Sequence, residues 1–136
     1  MASRFRTVES VLLEELAKPY VYGVADCFML GCRTADALDP MAGLVDLYQG
    51  AYSTLAGAQR ALRRRGCKSL AELFARHLDP CAPAEARNGD LAILRLADGA
   101  EHVAICVGGR FVTKTERGPS WHGVTECIAA FRTGGR

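Results

Sequence analysis

At 136 residues the chain has room for one domain and one modest core. Its 49% apolar and 24% charged residues are an ordinary globular balance. A net charge of +2 gives no case for a nucleic-acid partner, and no apolar run approaches the ~18–20 residues of a membrane span.

The opening stretch, MASRFRTVESVLLEELAKP, places Glu9, Glu14 and Glu15 where a secretory signal would need an apolar core. Synthesis in the cytoplasm without a signal peptide is therefore expected. Phe5, Val8, Val11, Leu12 and Leu16 share one helical face over about 4–17, and Pro19 ends that helix. A second helix should start at Asp26, a good N-cap, and run to about residue 38. Leu30, Thr34 and Leu38 extend one stripe of it, and Gly31 and Ala35 allow a neighbour to approach closely. Residues 53–65 make a third helix closed by Gly66, with Arg63, Arg64 and Arg65 complementing its dipole. Ser69 and Glu72 form a capping box that opens a fourth, to about residue 77. Pro80 and Pro83 mark a loop.

The period then changes. Residues 90–96, 102–108 and 110–115 read as strands, separated by Asp98-Gly99 and Gly108-Gly109 turns. A fourth short strand is expected between Trp121 and Phe131. Helices over about 1–80, followed by an antiparallel meander over about 88–132, predict a single α+β domain across residues 1–136.

The six cysteines form no C-x-x-C pair, and no histidine stands at zinc-ligand spacing from two of them. No metal site is expected, and a reducing compartment argues against a disulfide framework. Cys67, Cys81, Cys106 and Cys127 read as small buried hydrophobes. Cys27 is different: it directly follows the cap Asp26, at the positive end of a helix dipole, where a thiolate is favoured. His102, at the start of the middle strand, is the best-placed base for it. His77, near a helix end, reads as a dipole partner or surface residue, and His122 as packing or substrate-facing. Asp90 reads as a turn residue at a strand start, and Trp121 as a lid on the core. Each of Cys27, His102, Tyr20 and Tyr22 also has a plain packing reading.

The segment AKPYVYGVADC resembles the opening motif of the NlpC/P60 cysteine peptidases, with Pro19, Tyr20, Tyr22, Gly23, Asp26 and Cys27 on the pattern. NGDLAILRL and EHVAICVGGRFV resemble that family's following strands through Gly89, Asp90, Leu91, His102 and Val103. The likeness covers about residues 16–38 and 88–115, and the helical middle resembles small phage and prophage proteins of the same superfamily. It implies a papain-like core with the nucleophile helix packed on the sheet, and hydrolysis of peptide bonds in bacterial peptidoglycan without a cofactor. By position it makes Cys27 the nucleophile, His102 the general base and Thr113 the third member. Tyr20 and the Cys27 amide would shape the oxyanion site, with Asp26 beside them. Two departures stand out. Phe28 replaces a small polar residue of the substrate groove, and Thr113 replaces a histidine, asparagine or glutamine. Lys114 would point to the face opposite Thr113. The resemblance also implies a virion location at a phage tail tip or hub, with tail proteins as partners. The alternative is a tail-hub binding protein that keeps the fold and has lost turnover.

Overall fold

A computed structural model describes residues 3–134. Four helices start where the sequence supplies a cap. Ser3, Asp26, Thr54 and Ser69 accept backbone N–H groups at the heads of α1 (Arg4–Leu16), α2 (Cys27–Leu38), α4 (Leu55–Arg64) and α5 (Leu70–Ala75). A further helix, α3 (Leu44–Tyr48), has no counterpart in the sequence reading. Five residues are too few to show a period, and its cap comes from another helix: Asp36 of α2 accepts from the amides of Leu44 and Val45.

The strands β1 (Pro80–Cys81), β2 (Leu91–Arg95), β3 (Glu101–Val107), β4 (Arg110–Thr115), β5 (Gly118–His122) and β6 (Cys127–Phe131) form one antiparallel sheet in the order β1-β6-β2-β3-β4-β5. The fold is therefore α+β. Strands β2 to β5 are the expected succession of hairpins. The single strand expected between residues 121 and 131 is instead two, and a simple meander is corrected. A 3-10 turn at Val124–Glu126 carries the chain back across the sheet, so that β6 enters between β1 and β2. The reason lies in β2: four of its five residues are fully buried, so it needs a hydrogen-bonding neighbour on each edge. The expected loop at Pro80 supplies β1, a two-residue edge for β6.

Alternation divides the sheet into two apolar faces. Leu91, Ile93, Val103, Ile105 and Val112 face the helices, while Ala92, Leu94, Ala104, Cys106 and Phe111 form a second cluster on the far side. Helix α2 lies directly on the first face. A Cβ at Gly31 would stand 2.7 Å from Val103 Cγ1 and 3.2 Å from Leu91 Cδ2, so glycine is what permits this approach.

Asp90 is much more than a turn residue. Its carboxylate is wholly buried and pairs with Arg4 of α1 (2.8 Å), Arg87 (3.2 Å) and Arg132 (3.1 Å), and it also accepts from the Thr133 amide. Burial pushes its pKa up, but the Arg87 guanidinium and the amides of Arg87 and Thr133 outweigh that and hold it below the usual carboxylate range. Two other expectations are corrected. Cys81 and Cys127 are only half-buried: Cys81 lies on the two-residue edge strand β1, and Cys127 starts β6 beyond the residues that β1 pairs with. Trp121 is exposed on edge strand β5, where Arg110 stacks over its ring, so it is no lid. No helix among the described residues is long and apolar enough to cross a membrane.

Candidate active site around Cys27

The loop that delivers Cys27 is locked from several sides. Val21 and Ala25 bridge to each other, and Gly23 takes a φ of 81°. A side chain at Gly23 would run into the Tyr52 carbonyl. Asp26 then fixes the loop to the helix. Its Oδ1 accepts from the Met29 amide at 2.8 Å, which is the N-cap bond, while Oδ2 accepts from the Gly23 amide at 2.8 Å and the Tyr52 hydroxyl at 2.5 Å. The carboxylate thus accepts three hydrogen bonds, one from the first turn of α2 and two from the loops beside it.

The Cys27 sulfur lies at the foot of that turn, against the sheet. The Tyr20 hydroxyl donates toward it at 4.0 Å, and the Val103 backbone and the Thr113 hydroxyl are its other hydrogen-bonding partners. Val103 and Thr113 stand where the β3–β4 ladder ends. Paired residues run from Val107↔Arg110 to Ala104↔Thr113 and stop there, although both strands continue. The Thr113 hydroxyl turns along the sheet and donates to the Val103 carbonyl at 2.6 Å. Burial pushes the Cys27 thiol pKa up, and the neighbouring Asp26 adds to the rise. The contacts with Val103, Tyr20 and Thr113 pull the other way without cancelling it. Burial thus favours the thiol over the thiolate that the residue's place on the helix predicts. Burial likewise pushes the Tyr20 pKa well above its ordinary value, reinforced by the Asp26 carboxylate.

The structure thus brings Cys27, Tyr20, Asp26 and Thr113 together. His102 stands opposite Leu94 in the β2–β3 register and alternates with Ala104, the partner of Thr113, so it shares the Thr113 face of the sheet, but its ring turns to another group. The His102 imidazole meets Asp98 of the β2–β3 turn, Nε2 to Oδ2 at 3.1 Å. Phe28 is not at the groove either. One helical step past Cys27 turns it into the core, edge-on to Tyr48 and Tyr52 and against Phe74. Tyr22 packs edge-on to Tyr20 and donates to Glu116 at 2.8 Å; that bond, with burial, pushes its pKa up to about 12. Lys114 does take the face opposite Thr113, buried with its ammonium 3.5 Å from the Pro19 carbonyl. Burial lowers its pKa, and the nearby Glu15 opposes that. His77 is exposed, as its surface reading expects, and its ring is bonded to the Tyr48 hydroxyl at 2.7 Å.

Sequence reasoning missed Tyr52. It lies 26 residues from the carboxylate it holds, and a tyrosine in a turn-rich stretch carries no mark of such a partner. Among the described residues, no group of three or more histidine, cysteine or acidic side chains is arranged to hold a metal ion.

A family described as a domain of unknown function, DUF6950, matches residues 3–133. The chain belongs to this family. No curated protein matches it. The matched span takes in the whole DUF6950 framework described above, from the cap of α1 through Cys27 and the sheet to Thr133, the residue that closes on Asp90.

Proposed function

We propose that this DUF6950 chain is a cysteine hydrolase of the NlpC/P60 type, acting on peptide bonds of bacterial peptidoglycan from a phage tail, without a cofactor. The observation that supports it is the setting of Cys27. A sulfur at the first residue of α2 is met by the Tyr20 hydroxyl, the Thr113 hydroxyl and the Val103 backbone at the open end of the β3–β4 ladder. In this reading the sulfur attacks the scissile carbonyl carbon as its proton is taken up by the base and passed to the departing amine. Water then attacks the thioester, releasing the acid and restoring the thiol. Tyr20 and the Cys27 amide stabilise the oxyanion. For His102 to be the base, its imidazole must give up Asp98 and turn to the Cys27 sulfur.

A second reading, a tail-hub binding protein without turnover, is favoured by two observations: the Asp98-bound position of His102 and the burial that favours the Cys27 thiol. Purified peptidoglycan distinguishes them. Release of new amino termini by the wild type, abolished in Cys27→Ala and reduced about a hundredfold or more in His102→Ala, supports the hydrolase. Equal, background release by all three supports the binding reading.

A further inference from the structure

A second nucleophilic arrangement lies on β5, and neither the Cys27 site nor the family accounts for it. Ser120 and His122 are two residues apart on a strand, so they share a face. Ser120 Oγ stands 2.6 Å from His122 Nε2. On the other side of the ring, His122 Nδ1 stands 3.1 Å from both carboxylate oxygens of Glu126, in the 3-10 turn that follows. An ionised carboxylate only accepts, so Nδ1 carries a hydrogen toward Glu126; in the neutral ring Nε2 is then the acceptor, and the serine hydroxyl donates to it. That is the order of nucleophile, base and orienting acid in which a serine hydroxyl is activated.

The placement also suits a reacting group. Ser120 and His122 are half-buried, so the pair is held but not sealed. Among the described residues β5 is an edge strand, paired with β4 alone. Pro119, which has no N–H, suits the side of an edge strand that faces solvent, and the same alternation puts the Trp121 amide on that open side, next to Ser120. Thr113 is the cross-strand partner of Ser120, so Cys27 and Ser120 lie on either side of one threonine and are chemically separable.

We propose that Ser120, His122 and Glu126 form a serine acyl-transfer site that cleaves small carboxylic esters. Ser120 Oγ bonds to the ester carbonyl carbon as its proton passes to His122 Nε2. The C–O bond to the alcohol breaks, and the alkoxide leaves with that proton. Water then attacks the acyl-serine, gives one proton to His122 and releases the carboxylic acid, and the proton returns to Ser120. Glu126 is a positioning residue, acting through the imidazole. An ester fits better than an amide because an alkoxide departs readily, whereas an amine must first be protonated.

The test is labelling of the full chain by a small alkyl fluorophosphonate, in which the serine oxygen displaces fluoride at phosphorus, with the labelled residue mapped by mass spectrometry. The expected result is a single adduct at Ser120, kept in Cys27→Ala and absent in Ser120→Ala. His122→Asn should slow labelling by about a hundredfold or more. Glu126→Gln should slow it less and move the midpoint of the pH–rate curve to lower pH, which a merely structural change would not do. Retained labelling in Cys27→Ala keeps this outcome independent of the hydrolase reading. An unlabelled Ser120 in the wild type overturns the proposal whatever the variants do, and so does a labelling rate unchanged in His122→Asn.

Discussion

At Cys27 two local effects compete, and their balance sets what the residue can do. The helix terminus and three contacts favour the thiolate, while burial beside the Asp26 carboxylate favours the thiol and wins. Alkylation by iodoacetamide at Cys27 should therefore keep accelerating above about pH 8.5, the midpoint of an ordinary thiol. Tyr20→Phe removes one of the bonds that lower the pKa, so it should move the midpoint higher still and slow the reaction at pH 8 by up to about tenfold. A midpoint below that of a free thiol, tracked by mass spectrometry of the modified peptide, would contradict this balance. Asp26 is legible as a cap from its place in the sequence, and the structure agrees with that reading. Its bond to Tyr52 is not legible, because nothing local links a carboxylate to a tyrosine on another loop. His102 shows the limit most clearly. A strand assignment fixes which residues alternate, but not which group a ring turns to, and the Asp98 contact comes from the geometry of the β2–β3 turn.

At the scale of elements, the site exists because α2 lies flat on the sheet. Gly31 is the contact that allows it, and Val103, the residue it touches, is also the one whose backbone meets the Cys27 sulfur. Gly31→Val should therefore act on stability and chemistry together. Branched carbons forced against the stiff Val103 side chain should cost about 1–3 kcal/mol, read as a lower urea midpoint with an unchanged slope. The same variant should alter the rate of Cys27 alkylation, since the helix must lift from β3. The small residues of α2 were legible in the sequence for this purpose. The short α3 and the two-residue β1 were not, because elements of that length take their hydrogen bonds from distant partners.

For the whole molecule, the decisive tie is the Asp90 carboxylate. It joins α1, the start of β2 and the segment after β6 through Arg4, Arg87, Arg132 and Thr133. Its folded pKa is depressed, so the stability it contributes is present above the unfolded value, about pH 4, and is lost as the pH falls through the folded value. Wild-type stability should therefore drop on acidification below about pH 4, and Asp90→Asn should flatten that part of the profile. At pH 7 the variant should lose about 3–5 kcal/mol, since three guanidinium groups are left facing a neutral amide. Thermal unfolding across pH checks both expectations. The α+β division was legible because the apolar period changes midway through the chain. The return of β6 was not, because a strand's own pattern does not name its neighbours.

That return has a consequence for biogenesis. While the polypeptide is emerging from the ribosome, β2 can zip to β3, yet its other edge stays bare until residues 127–131 have cleared the exit tunnel. A nascent chain stalled before that point would present an apolar, unzipped margin to the cytosol, which is the kind of surface that holdase chaperones retain.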